Sequence, residues 1–200
     1  MKNVIVGLGM TMILVSSGCA KVSTTAPSGS LTGRVTLPSG APAAGATVYL
    51  QGATTDAVKV GADGKFALKA SAVTGQALLS SGRISAAATD DGTRSLIVLL
   101  DDGTSQYGLK KDAITLGSIA KIPTDLGNIS LEECGKISVK AMISGKTDHT
   151  GVSIYIPGTT ITGRTDATGA LTLPFVPKGT WTIRYELAGY KAKDITGVVV

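Results

Sequence analysis

From Leu31 onward, apolar and polar residues alternate in short runs between glycines, the pattern of half-buried strands joined by tight turns. In Gly45-Ala46-Thr47-Val48-Tyr49-Leu50-Gln51-Gly52, one face collects Ala46, Val48 and Leu50, and Tyr49 points the other way. Gly151-Val152-Ser153-Ile154-Tyr155-Ile156-Pro157-Gly158 repeats this type for type, with Val152, Ile154 and Ile156 on one face and Tyr155 opposite. Residues 167–173 and 181–187 also alternate, with Pro177-Lys178-Gly179 as the turn between them. Trp181, Ile183, Tyr185 and Leu187 share a face, as core residues do. Asp63-Gly64 and Thr168-Gly169 fall where a two-residue hairpin needs positive φ, which glycine supplies at no steric cost. Past the N-terminal apolar run, no window of adequate length has the 3.6-residue spacing of a helix.

These elements recur in order. Gly33-Arg34-Val35-Thr36 matches Gly135-Lys136-Ile137-Ser138, and Ala62-Asp63-Gly64-Lys65-Phe66-Ala67-Leu68 matches Ala167-Thr168-Gly169-Ala170-Leu171-Thr172-Leu173. Gly33 to Gly135, Gly45 to Gly151 and Gly64 to Gly169 are separated by 102, 106 and 105 residues. Three matches in order at a near-constant offset argue that one β unit was duplicated. The 200 residues suffice for two small domains, each with an ordinary core.

Composition sharpens this picture more than it changes it. Aromatic residues make up 4%, charged residues 16%, and there are 26 glycines, a mixture that favours short strands and turns over helices. A mean hydropathy of +0.28 and a net charge of only +5 argue against disorder. The basic residues are scattered singly, with Lys110-Lys111 the longest cluster, so no stripe suits nucleic acid; they read as solvated surface charge. Of the two cysteines, Cys134 reads as a small, partly buried residue with no histidine nearby in sequence.

The N-terminus carries an address. Lys2, an apolar run from Val4 to Val15 and Ser16-Ser17-Gly18 before Cys19 form a secretory signal, too short to span a bilayer. This arrangement resembles the lipobox of bacterial lipoproteins, although Ser16 stands where Leu is commoner. The resemblance implies cleavage before Cys19, acylation of its thiol with palmitate-type chains, and a mature chain hung from a membrane. Cys134 would then have no partner within the chain. Ala20, rather than Asp, after the cysteine resembles lipoproteins released to an outer membrane. Residues 21–30, rich in Ser, Thr, Pro and Gly, read as a flexible tether.

The order "GATVYLQG", "ADGKF" and "VPKGTWTI…LAGY" resembles the carboxypeptidase regulatory-like domain, a transthyretin-like, prealbumin-type β-sandwich. The second copy carries the fuller signature: residues 151–158, Thr165-Asp166-Ala167-Thr168-Gly169, Val176-Pro177-Lys178-Gly179-Thr180-Trp181 and Gly189-Tyr190. The first keeps the front half, with residues 125–131 as a closing strand. Residues 71–124 depart from the family, and 96–100 with the Asp102-Gly103 turn suggest extra strands there. In the family one more strand follows the Gly-Tyr element and completes the sheet; residues 195–200 look like the start of that strand, and the expectation is a second copy cut short at Val200 or a sheet completed by something else. The expected organisation is therefore all-β: a signal peptide (1–18), lipidated Cys19 and tether (19–30), and two tandem Ig-like, prealbumin-like antiparallel sandwiches at 31–132 and 135–200.

No reaction follows from the residues. A catalytic zinc takes about three protein ligands, and the chain has one histidine, His149, which reads as a surface-loop residue. Phosphate-cradling Gly-rich loops and Gly-x-Ser-x-Gly elbows are missing from the sequence. Asp90-Asp91 and Asp101-Asp102-Gly103 lack the alternating oxygens of a calcium loop. In enzymes of the resembled family, the sandwich is accessory to a separate catalytic domain. The expectation is a non-enzymatic envelope protein without cofactor or metal, anchored through Cys19, serving as an interaction or scaffold module. Its partners would be the membrane and an envelope protein or glycan. Two alternatives stay open: a carbohydrate-binding module using Tyr49 and Tyr155, the tyrosines expected to be exposed, or the N-terminal accessory region of a larger envelope enzyme or transporter.

Overall fold

The computed structural model describes residues 29–70, 93–115 and 124–200. The signal peptide, Cys19, nearly all of the tether and Asp90-Asp91 lie outside them. The first half supplies β1 (Gly29–Thr36), β2 (Thr47–Leu50), β3 (Val58–Lys59), β4 (Lys65–Ala70), β5 (Thr93–Asp101), β6 (Gln106–Thr115), β7 (Thr124–Ser130) and β8 (Glu132–Glu133). The second supplies β9 (Gly135–Lys140), β10 (Ser153–Tyr155), β11 (Thr162–Arg164), β12 (Ala170–Val176), β13 (Thr180–Glu186) and β14 (Lys193–Val199). One 3-10 turn, Thr54–Asp56, follows β2. The fold is all-β, as the alternation predicts, and its strand pairs are antiparallel except β1 with β7, which run parallel where antiparallel pairing was expected.

The duplication is visible in the strand pairing. The first half forms sheets β4-β1-β7 and β3-β2-β5-β6-β8; the second forms β12-β9 and β11-β10-β13-β14. Each pairing of the second half has a counterpart in the first: β12-β9 mirrors β4-β1, β10-β11 mirrors β2-β3, β10-β13 mirrors β2-β5, and β13-β14 mirrors β5-β6. Even an irregularity recurs. Between Arg94 and Leu96, β6 has a bulge holding Ala113 at φ 63, and between Trp181 and Ile183, β14 has one holding Gly197 at φ 76.

Several expectations need correction. The strands in 93–115 are not additions, because β5 and β6 occupy the places of β13 and β14. Residues 195–199 do lie in one further strand after Gly189-Tyr190: β14 pairs with β13 at the edge of its sheet, in the place that β6 takes beside β5. The turns at Asp63-Gly64 and Thr168-Gly169 form as predicted, with φ of 84 and 82. They do not make paired hairpins, because the strands on either side join opposite sheets. The match of Gly33 to Gly135 is also out of register. Val35 N–H donates to Gly64 O, and Ala141 N–H donates to Gly169 O, so Val35 corresponds to Ala141, an offset of 106.

The cores explain how the halves meet. One cluster joins Leu31, Val35, Phe66, Leu68 and Ile129 to Val48, Leu50, Leu96 and Val98 across the first sandwich. The other joins Ile137, Leu173 and Val176 to Ile154, Trp181 and Ile183 across the second. Tyr49, Ile97 and Leu99 belong to this second cluster although their strands are in the first sandwich. In β5, Leu96 to Leu99 are buried without a break, so the sheet holding it is covered on both faces. Each such side chain contributes roughly 1.5–3 kcal/mol by leaving water.

Polar contacts fix the junction. The equivalent glycines ending the two matched segments meet, with Gly52 N–H donating to Gly158 O at 2.7 Å. A Cβ on Gly158 would lie 2.8 Å from Gly52 N, so the approach needs glycine. Lys110 Nζ donates to Thr180 O at 2.9 Å and stands 4.9 Å from the Trp181 ring centroid, a cation–π contact across the halves.

Candidate functional site

Among the described residues, the second sandwich is open along one side. In the first, β7 lies parallel to β1 and brings Ile129 into the core, with Leu131 beside it. Among the described residues, no strand pairs with the corresponding edge of β9. The result is a groove of about 460 Å3 lined by Met142, Ile143, Tyr185, Leu187, Tyr190 and Ile195. Met142, Tyr190 and Ile195 are 64%, 51% and 36% exposed, three of the four exposed large apolar side chains among the described residues. The strand across from this opening shows the difference best. Val98 of β5 is fully buried, whereas its counterpart Tyr185 is only half-buried and lines the groove. The rim carries Lys140, Lys191 and Lys193 against Glu186 alone.

Tyr49 is placed differently from the sequence expectation. It is 1% exposed rather than at the surface, because the second sandwich packs over its face of β2. Alternation told which face it occupies but not what covers that face. It lines a second groove of about 480 Å3 at the junction, with Thr160, Ile161 and Phe175. Its hydroxyl meets no partner in hydrogen-bonding geometry. Burial pushes the phenol upward, and the nearby Thr160 hydroxyl and N–H only partly offset this. Phe175 sits at φ 61, where β12 bulges away from β9.

Tyr155 is half-buried on the outer face of the second sandwich and is not brought near Tyr49's groove. Its hydroxyl donates to Glu186 Oε1 at 2.7 Å, and desolvation together with Glu186 raises the phenol. Beside it, Arg184 Nε and Nη2 hold Asp194 at 2.6 and 2.7 Å, a bidentate pair that keeps the Asp194 carboxyl below the usual range. Tyr155 is thus a half-buried phenol whose hydroxyl is held by Glu186.

His149 corrects a second expectation: it is 6% exposed, not a surface residue. Ile143 N–H donates to its Nδ1 at 3.1 Å, which requires the tautomer with hydrogen on Nε2. In the first sandwich the equivalent Leu37 N–H donates to a main-chain acceptor, Ala41 O. A histidine ring therefore replaces a carbonyl, which alternation had no means of revealing. Burial pushes the Cys134 thiol up to about 12, leaving little thiolate. Trp181 is buried, its indole N–H donating to Pro177 O at 2.9 Å.

The Asp101-Asp102-Gly103 turn spends its carboxylates on itself. Asp101 accepts from Gln106 Nε2 and Gly103 N–H, and Asp102 accepts from Thr104 and Ser105 N–H, which holds both carboxyls low. No group of three or more His, Cys, Asp or Glu suited to a metal occurs among the described residues. No described helix is long and apolar enough to cross a membrane.

No family model matches the chain, and no curated protein matches it. Among solved structures, it resembles the Bacillus anthracis TIE protein at 14% identity and a TM-score of 0.26. The alignment covers 86% of this chain, which spans 32% of that protein's length.

Proposed function

We propose that the chain is a non-enzymatic, lipid-anchored cell-envelope protein whose paired sandwiches, of carboxypeptidase regulatory-like type, act as an interaction module. The observation that carries the interaction reading is the apolar groove beside an edge of β9 that no described strand pairs, a surface that soluble β proteins ordinarily cover. The anchor reading rests on the Lys2-to-Cys19 pattern, and Ala20 favours an outer membrane. Acylation needs two signals for firm attachment, and a lipoprotein cysteine supplies several chains at once. Expressing Cys19→Ala and fractionating cells fed labelled palmitate tests this. The wild type takes label and sediments with membranes, and the variant loses both. Unchanged membrane binding and processing in the variant would remove the anchor.

Tyr155 favours a second reading, a glycan site, because its half-buried phenol is bonded to Glu186 and lies near Arg184, which holds Asp194. A polysaccharide pull-down lost in Tyr155→Ala supports that reading, and retention in the variant removes it.

A further inference from the structure

The first sandwich shows what the second is built to receive. Because Val35 corresponds to Ala141, the counterpart of Thr36 is Met142 and that of Leu37 is Ile143. Val35 and Thr36 pair with Ile129 and Ser130 of β7, and Leu131 N–H donates to Thr36 O at 2.8 Å. At this end of the first sandwich Ile129 and Leu131 are 5% and 1% exposed, closing the core. The corresponding end of the second is the groove lined by Ala141, Met142 and Ile143.

We propose that the edge of β9, with the groove beside it, binds an extended acidic peptide segment of a partner polypeptide. The segment lies parallel to β9 as β7 lies on β1, and its alternate apolar side chains enter between Met142, Tyr185, Tyr190 and Ile195. Main-chain hydrogen bonds to β9 supply affinity, and the groove selects apolar residues at every second position. Charge decides the rest. Lys140, Lys191 and Lys193 rim the groove, and the one carboxylate there, Glu186, already accepts the Tyr155 hydroxyl. The segment that fills the first sandwich is itself acidic: residues 124–133 carry Asp125, Glu132 and Glu133 and no basic residue. A basic rim steers such a strand and rejects a basic one. The inference rests on reading the chain as an interaction module, but not on its anchor.

A synthetic peptide with the sequence of residues 124–133 is the probe, titrated into the full chain in mild detergent and followed by amide NMR. The expected result is saturable binding at or below about 1 mM, a weak affinity suited to a short peptide. Shifts should concentrate at β9 and at residues 141–143, 190 and 195, and binding should weaken at high salt. A peptide bearing I129D and L131D should bind at least tenfold more weakly. So should the peptide against the chain variants Met142→Glu and Tyr190→Glu, whose sites are exposed enough to leave folding intact.

Several results overturn the proposal: no binding at about 1 mM, equal binding of the substituted peptide, or shifts at β1 instead of β9, which would mean exchange with the resident β7. Concentration-dependent self-association that shifts the same amides also overturns it, since a second copy would then be the occupant. None of these depends on Cys19, so the anchor and the groove fail separately.

Discussion

The two sandwiches share one pairing scheme, and they differ in what protects their edges. In the first, β1 is paired on both sides, by β4 and β7; in the second, β9 is paired by β12 alone among the described residues. The outer strands differ too: every residue of β14 but Val198 is exposed, while β6, paired with β8 and approached at Gly108 by Cys134 and Pro177, buries Gly108 and Ile114. A common fold thus yields one unit that is closed and another with a surface to offer. The closed unit also lends Tyr49, Ile97 and Leu99 to its neighbour's core, so the pair is one structure rather than two beads.

The shared layer gives the largest expected effect. Ile97 is fully buried on the face of β5 that enters the second cluster. Ile97→Ala should cost about 2–5 kcal/mol in urea unfolding, and it should loosen amides of β10 and β13 although Ile97 belongs to the first sandwich. A loss confined to the first sandwich would separate the two units.

Next come the equivalent turn glycines. Gly64→Ala and Gly169→Ala force a side chain at positive φ toward Val35 O and Ala141 O respectively. Each should lose about 2 kcal/mol or more by the same measurement; tolerance at one turn alone would break the equivalence. His149→Ala comes third, because it strands the Ile143 N–H and should lose about 1–3 kcal/mol. The first sandwich has no comparable weakness, since Leu37 N–H is held by a main-chain carbonyl that substitution cannot remove.

The paired bulges should respond with opposite signs. Ala113→Gly relieves a left-handed alanine and should be neutral to stabilising, while Gly197→Ala should destabilise, each by about 1 kcal/mol or less. Smallest is an acid effect at the second turn. Asp166 accepts from Thr168 and from Ala170 N–H, which holds its carboxyl below the usual range. A group lowered on folding adds stability above its unfolded value and loses it as pH falls through the folded one. Asp166→Asn should therefore flatten the acid limb of a thermal-unfolding profile, by lowering stability slightly at neutral pH and leaving it nearly unchanged in acid.

How much the sequence revealed follows the same physics. Alternation placed Ala46, Val48, Leu50, Val152, Ile154 and Ile156 correctly, because period two fixes which residues share a face, and all six are buried. It misplaced Tyr49, whose cover comes from residues more than a hundred positions away. The unbroken run Leu96 to Leu99 was the available sign of a strand covered on both sides. The four-residue slip between β1 and β9 arose because an even shift keeps every side chain on its face. The bonds to Gly64 and Gly169, with the pairings of Arg34 to Lys65 and of Lys140 to Ala170, fixed the register. The open groove was not legible at all, since it consists of what β7 does in one copy and no described strand does in the other.

Hydrogen exchange at single-amide resolution on β1 and β9 of the free chain is the most direct measurement of that asymmetry. The account predicts slow exchange along both edges of β1, and in β9 slow amides facing β12 alternating with fast ones facing outward. Uniformly slow exchange along β9 would show that its edge is already covered, and the contrast between the two sandwiches would not stand.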